Sequence, residues 1–376
     1  MTSAEVQREL YAPSGHGKVP PRQRVGRPAD GEMTLHGLTM DLTGWWQIGW
    51  SDELAVGDVV AKRYFGRDLV AYRGNDGKVV VHDRYCQHLG ASLAHGGCVA
   101  DEGIQCPFHG WVWGPDGKNV SIPYQEAMTK GRGLHTWPVT ELNDSIYIWN
   151  DPAGREPQWD VVDATTFAPH AAEVDFHPIT PETRSHFPDT SSHPQLTIEN
   201  VVDPQHFRFV HRTEIAPVIL EEEVEGHTWW SRVGFGRRWA KRHAEGDIGK
   251  GDHSNTIEIF WNGMGVSVNT EDMPDGVRVI AINTTPVEDQ SAEMFATYWI
   301  EKLDGDLEDG SYQRRLDQAK AAMPDDVNIW SNQIYIDPPT LAAIEAKGFR
   351  KIRRWTRQFY PDDSAYTLQN GLRRAQ

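Results

Sequence analysis

The chain's three cysteines all fall between Cys86 and Cys106, and histidines stand at short offsets from two of them: Cys86-x-His88 and Cys106-x-x-His109, with seventeen residues between His88 and Cys106. Two soft thiolates and two imidazoles suit a tetrahedral zinc ion, or a 2Fe-2S cluster with cysteines on one iron and histidines on the other. Each loop offers one ligand of each kind. A pair of β-hairpin tips armed in this way can clamp a two-iron cluster from both sides. Gly90 and Gly110 let backbone N–H groups approach inorganic sulfide, and Pro107 stiffens the second loop. Cys98 and His95 fit neither ligand position. Cys98 reads as a small buried core residue and His95 as a surface or hydrogen-bonding one.

A second group of chemically capable residues lies in "ENVVDPQHFRFVH": Asn200, Asp203, His206 and His211. At ~100° per residue, helical positions five apart diverge by roughly 140°. Two convergent histidines at this spacing therefore need a widened turn or a helix end. By itself the spacing is equally that of a generic helix with two histidines. Asp203 directly precedes Pro204, the arrangement of an N-cap with proline at the first helical position.

The elements that must hold these groups follow from periodicity. Residues 1–40 are polar and rich in Pro, Gly and Arg, and read as an extended arm or disordered leader. From Gly44 the text turns to short alternating runs, with "GNDGK" a hairpin turn between two Val-rich stretches, closing at "SIYIWND". Residues 41–155 thus read as a small antiparallel β domain, followed by a polar, Pro-containing linker. Residues 156–376 are mixed. "NTIEIFWNGMGVSVNT", "GVRVIAINTTP" and "AEMFATYWIEKL" have strand character, and "GSYQRRLDQAKAAMPDDVNIWSNQI" is a long helical pattern carrying Pro324. The fold class is α+β, an all-β domain followed by an antiparallel sheet with helices packed on it.

Composition limits the partners. With 37 basic and 54 acidic residues the formal charge is −17, which argues against nucleic acid, whose backbone needs a basic face. No run of apolar residues is long enough to span a membrane. The first residues lack the apolar core of a signal peptide, and three cysteines cannot form a disulfide framework, so the reducing cytoplasm is the expected compartment.

The text "CQHLG…CPFHGW" resembles the Rieske iron–sulfur motif, which implies a 2Fe-2S cluster held by Cys86, His88, Cys106 and His109. Rieske proteins of respiratory complexes carry two further cysteines and a serine at positions occupied here by Ala91, Phe108 and Trp111. Losing the disulfide and the hydroxyl hydrogen bond implies a potential toward the lower end of the Rieske span, roughly −150 to +300 mV. Downstream, N-x-x-D-x-x-H-x4-H resembles the mononuclear iron site of Rieske non-haem iron oxygenases, in which two histidines and a carboxylate hold ferrous iron and leave positions open for dioxygen and substrate. His206 and His211 match the histidines. "MPDDVNIW" resembles the family's D-x-x-I-W stretch, which puts the carboxylate at Asp326 with Asp325 its rival. In that family the aspartate matching Asp203 bridges a cluster histidine of one subunit to an iron histidine of the next, and the resemblance implies that Asn200 lies near the iron. A head-to-tail homotrimer is implied, since the cluster of one subunit serves the iron of its neighbour.

Within that family, "HDRYCQHLGASLAHGG", "CPFHGWVWGPDGKNVSIPY", the D-x-x-I-W segment and "RRWTRQFY" resemble the oxygenase component of ketosteroid 9α-hydroxylases and related sterol enzymes. The implied catalytic domain is a helix-grip-like sheet with helices. The implied activity is a monooxygenase (hydroxylase) reaction, with dioxygenation, demethylation and desaturation also compatible. The resemblance further implies that electrons pass from NAD(P)H through a ferredoxin or flavin-dependent ferredoxin reductase to the cluster and on to Fe(II). The implied substrate is bulky and apolar, steroid-like or polycyclic/aromatic. Trp229, Trp230, Trp239, Trp261, Trp299 and Trp330 fall in the catalytic half, where aromatics serve a core as readily as a pocket. Two rivals predict different metal contents: a Rieske electron carrier without mononuclear iron, and a colourless zinc-stabilised binding module.

Overall fold

The computed structural model describes residues 38–101, 103–213, 216–235, 256–288 and 291–361. Most of the expected leader, and Trp239, lie outside the described residues. The leader's expected end does not hold: Leu38 and Met40 are buried, and Leu38 joins Leu42 and Trp46 in the largest apolar cluster.

The N-terminal half is built from β1 (Gly44–Trp50), β2 (Val59–Tyr64), β3 (Arg67–Arg73), β4 (Val79–Asp83), β5 (Cys98–Ala100), β6 (Gly103–Gln105), β7 (Val112–Trp113), β8 (Asn119–Ser121), β9 (Thr136–Trp137), β10 (Val139–Leu142) and β11 (Ser145–Asn150). They form three small sheets, ordered β1-β11-β10, β2-β3-β4-β9 and β5-β6-β7-β8. The "GNDGK" stretch turns between β3 and β4, where Gly77 has a φ of 82° and Arg73 pairs with Val79. β1 and β11 pair over their length, so the first and last strands of the half close it. The linker expected after β11 is pinned rather than loose, because Trp159 packs on Trp149, His227 and Phe359. Hydrogen bonds also join the halves: Asn283 donates to the Gln47 side chain (2.8 Å) and Thr285 to its carbonyl (2.6 Å).

The C-terminal half centres on a seven-stranded antiparallel sheet ordered β12-β18-β17-β16-β15-β14-β13. Its strands are β12 (Arg184–Thr190), β13 (Val218–Glu225), β14 (Thr228–Gly234), β15 (Thr256–Asn262), β16 (Val266–Met273), β17 (Gly276–Glu288) and β18 (Ser291–Ile300). The run "NTIEIFWNGMGVSVNT" is therefore two strands, β15 and β16, turning at Gly263 (φ 69°). Period-two alternation sends Val268, Val279 and Ala281 to one face, against Ala164, Ala168 and Ala171. Ile280, Ala296 and Tyr298 point to the other, beneath the helices.

Those helices are α1 (Pro194–Glu199), α2 (His206–Phe209), α3 (Ser311–Ala321), α4 (Met323–Trp330) and α5 (Ala346–Thr356). The single long helix expected through Pro324 is two, because proline lacks the N–H that would bond four residues back and its ring crowds that turn. On the C-terminal helix, Arg353 forks onto buried Glu199 at 2.8 and 3.0 Å, and Gln195 donates to the same carboxylate. This pair anchors the end of α1, from which the chain runs directly into Asn200 and Asp203.

Candidate active site

Two loops with the same backbone scaffold carry the cysteine–histidine pairs. In each, the cysteine N–H donates to the carbonyl five residues on, from Cys86 to Ala91 (2.9 Å) and from Cys106 to Trp111 (2.8 Å). In each, the glycine four residues on donates back to the cysteine carbonyl, Gly90 at 2.9 Å and Gly110 at 3.0 Å. Both glycines sit at positive φ, 79° and 73°, which a side chain would strain. The scaffold drives Cys86 and Cys106 into the apolar cluster with Leu93, Ile104 and Trp113 and leaves the histidines half-exposed at the tip. The His88 and His109 rings lie 4.7 Å apart, and His88 stacks on Trp111 at 4.2 Å and 5°.

These four side chains fit a 2Fe-2S cluster. Burial pushes the Cys86 thiol's pKa up and the adjacent Cys106 thiol adds to it, although Trp113 donates its indole N–H to the Cys86 sulfur at 3.3 Å. His109 Nδ1 is buried without a partner. Two neighbouring buried thiols and an orphaned imidazole nitrogen gain a counter-charge from a metal centre. His95 bonds Ser92 at 3.0 Å, away from this group. Cys98 departs from expectation: it is exposed, since its strand β5 lies at the edge of its sheet.

The second constellation depends on Pro204. Asp203 adopts φ −115° and ψ 77°, as a residue before proline must leave helical geometry, and α1 with its 3-10 extension Asn200–Val202 ends there. α2 then runs only from His206 to Phe209, and His211 lies beyond it, so the histidine spacing is met by a helix end. The Asp203 carboxylate accepts the N–H groups of Gln205 (3.0 Å) and His206 (3.3 Å), and its carbonyl accepts His206 Nδ1. That bond leaves His206 Nε2 as the free donor atom. Burial pushes the His206 pKa down, which favours the neutral ring that a metal ligand needs.

Across from α2, Asp326 on α4 approaches His211 at 3.3 Å, and the rings of His206 and His211 lie 5.3 Å apart. Donor atoms of His206, His211 and Asp326 all fall within 4.8 Å of one another, a set that suits a single iron with open positions. Asp325 points to solvent. Asn200 lines the same space, its side-chain oxygen accepting the Trp330 indole N–H at 3.4 Å.

The three donors open onto a cavity of about 770 Å³ between the sheet and the α3–α4 helices. Ile257, Ile259, Ile280 and Ile282 pave much of its floor. Of the tryptophans singled out by sequence, Trp261 and Trp330 line it. Trp229 is core, and Trp299 packs on the opposite face of the sheet. Sequence inspection missed three polar residues on β16, Ser267, Asn269 and Glu271, which also face the cavity. Their alternation in "VSVNTEDM" was the available signal.

Known proteins place this architecture. The Rieske 2Fe-2S domain family matches residues 44–138, and the 3-ketosteroid 9alpha-hydroxylase C-terminal domain family matches residues 148–360. A probable 3-ketosteroid-9-alpha-monooxygenase oxygenase component of Rhodococcus rhodochrous is 30% identical over 85% of this chain and 80% of its own. A cholesterol 7-desaturase of Bombyx mori is 29% identical over 88% of this chain and 72% of its own. Dicamba monooxygenase, solved with dicamba bound, shares the fold at a TM-score of 0.60 and 18% identity, over 85% of this chain and 98% of that one. The chain belongs to the Rieske non-haem iron oxygenases, in the group with a 3-ketosteroid 9α-hydroxylase type of C-terminal domain.

Proposed function

We propose that this oxygenase hydroxylates a steroid-like substrate with O2, using electrons from NAD(P)H delivered by a ferredoxin or a flavin-dependent ferredoxin reductase. The observation that carries the reading is that His206, His211 and Asp326 converge on one wall of a largely apolar cavity of about 770 Å³, a size suited to a compact small molecule. The names of relatives that speak of ketosteroid and cholesterol support a steroid skeleton.

When bound, the cluster at Cys86, His88, Cys106 and His109 supplies single electrons, and iron at His206, His211 and Asp326 supplies dioxygen activation. The chain does the rest. Asp203 fixes the His206 ring through its carbonyl, Trp330 and Asn200 brace each other beside the donors, and the isoleucine floor excludes water from the reacting carbon.

We assign residues 41–155 to electron transfer, residues 156–376 to catalysis, and the reducing cytoplasm as the compartment. Among the described residues no helix is long and apolar enough to cross a membrane. We assign Asp203 as the bridge that receives the electron from a neighbouring subunit's cluster in a head-to-tail trimer. Exposed apolar side chains at both ends of that route support the contact: Leu89 (65% exposed) and Phe108 (60%) beside the cluster histidines, and Phe209 (76%) on α2.

The test is NADH oxidation by the reconstituted system with steroids, simple aromatics and acyl-CoA esters. Steroid-dependent consumption with a product gaining one oxygen is expected. Consumption stimulated only by aromatics or acyl-CoA esters would overturn the steroid reading, and a product lacking two hydrogens would replace hydroxylation by desaturation.

A further inference from the structure

Arg278 on β17 and Tyr298 on β18 interrupt the largely apolar cavity floor, and so does β16. Two of its three polar side chains are occupied within the sheet: Ser267 donates to the Ile282 carbonyl at 2.6 Å, and Asn269 to the Ile280 carbonyl at 3.2 Å. The third, Glu271, is not. It is only 9% exposed, it faces the cavity, and its nearest cation is Arg278 on the adjacent strand at 3.8 Å, beyond hydrogen-bonding distance. The two stand opposite each other in register, in the row Ile257, Glu271, Arg278, Ile300 across the sheet.

Arg278 is itself held in place. Its NH2 donates to both oxygens of Asp275 at 2.8 Å and to Gln318 of α3 at 3.0 Å, while its Nε is buried without a partner. A buried carboxylate without a donor is costly, and burial pushes the Glu271 pKa up despite the opposing pull of Arg278. The pair is thus a rigid, incompletely satisfied polar group in a largely apolar cavity that also holds the metal-ligand triad.

We infer that Glu271 and Arg278 form the specificity-determining pair for the substrate's polar end, and that the group they take is a hydroxyl rather than a ketone. A hydroxyl oxygen seated between them donates to the Glu271 carboxylate and accepts from Arg278, filling the gap both now leave. A ketone only accepts, and it turns its lone pairs toward the carboxylate. The inference rests on the steroid reading above and narrows it to hydroxylated steroids.

The experiment uses the intact holoenzyme and two steroids differing only in whether the ring-end oxygen is a hydroxyl or a ketone. Binding is measured by equilibrium dialysis, and KM in the reconstituted system. The hydroxysteroid should bind roughly tenfold or more tighter, as expected for a hydrogen bond to a charged group. Glu271→Leu should remove that preference. Glu271→Gln, which keeps shape and gains an N–H donor, should bring the ketone level with the hydroxyl, and it carries the test if the leucine variant does not fold. Equal binding of the two steroids by the unsubstituted enzyme, or an unaltered hydroxyl preference in Glu271→Gln, would overturn the inference and leave the steroid reading standing. Failure to bind either steroid would overturn both.

Discussion

His206 is held by Asp203 through the main chain: the ring Nδ1 bonds the Asp203 carbonyl, while the Asp203 carboxylate caps the start of α2. Ring orientation and carboxylate charge are therefore separable in one residue. Asparagine keeps the carbonyl and serves as well as aspartate at an N-cap, within about 0.5 kcal/mol. Asp203→Asn should retain full iron content and thermal stability yet lose electron transfer to the iron site. Single-turnover oxidation of the pre-reduced cluster with substrate and O2 is the measurement, and a normal rate would remove Asp203 from the electron route.

Asp326 and Asp325 adjoin in sequence and differ in setting, the first facing His211 across the cavity and the second facing solvent. Asp326→Ala should lower iron from roughly three to roughly two atoms per chain, leaving the red-brown cluster intact. Asp325→Ala should change neither. Iron analysis with the visible spectrum decides, and a third iron retained in Asp326→Ala would move the carboxylate elsewhere.

What the sequence makes legible follows how local each feature is. The cluster loops are readable because each carries its cysteine, histidine and glycine within five residues, and backbone geometry alone brings them to one tip. The iron set is not local. Asp326 lies 120 positions from His206, and only the resemblance in "DDVNIW" connected them. Cys98 misleads because small apolar residues are usually buried, whereas a short edge strand has an outer side. Glu271 was passed over for a related reason. Polar alternation on a strand normally marks the solvent face, but here helices cover that face and enclose the polar row over a cavity.

Trp113 partly replaces what the motif lacks. The residues at positions 91, 108 and 111 remove a disulfide and a serine, but the Trp113 indole N–H reaches the Cys86 sulfur at 3.3 Å from a buried position. Such a bond favours the more negative, reduced cluster, so its removal makes reduction harder. Trp113→Phe should lower the cluster potential by on the order of 40 mV, the shift that about 1 kcal/mol produces in a one-electron couple. A redox titration followed by the cluster's visible absorbance measures it, and an unchanged or raised potential with the cluster intact would exclude the bond as a contributor.

His82 gives the cluster domain a pH-dependent stability of its own. It is fully buried on β4, its Nδ1 paired with Thr136 Oγ1 at 2.9 Å, and burial lowers its pKa from 6.5 to about 4. Below pH 6.5 the unfolded chain takes up the proton first, so the folded state loses stability as pH falls from 6.5 toward 4. At pH 5 this one residue should cost about 2 kcal/mol relative to pH 7.5. His82→Gln keeps a polar group near Thr136 without a titrating proton, so its stability should change less over that interval. Paired denaturant unfolding curves at pH 7.5 and 5 measure the difference. If the two proteins lose stability in parallel, the buried imidazole is not the titrating group.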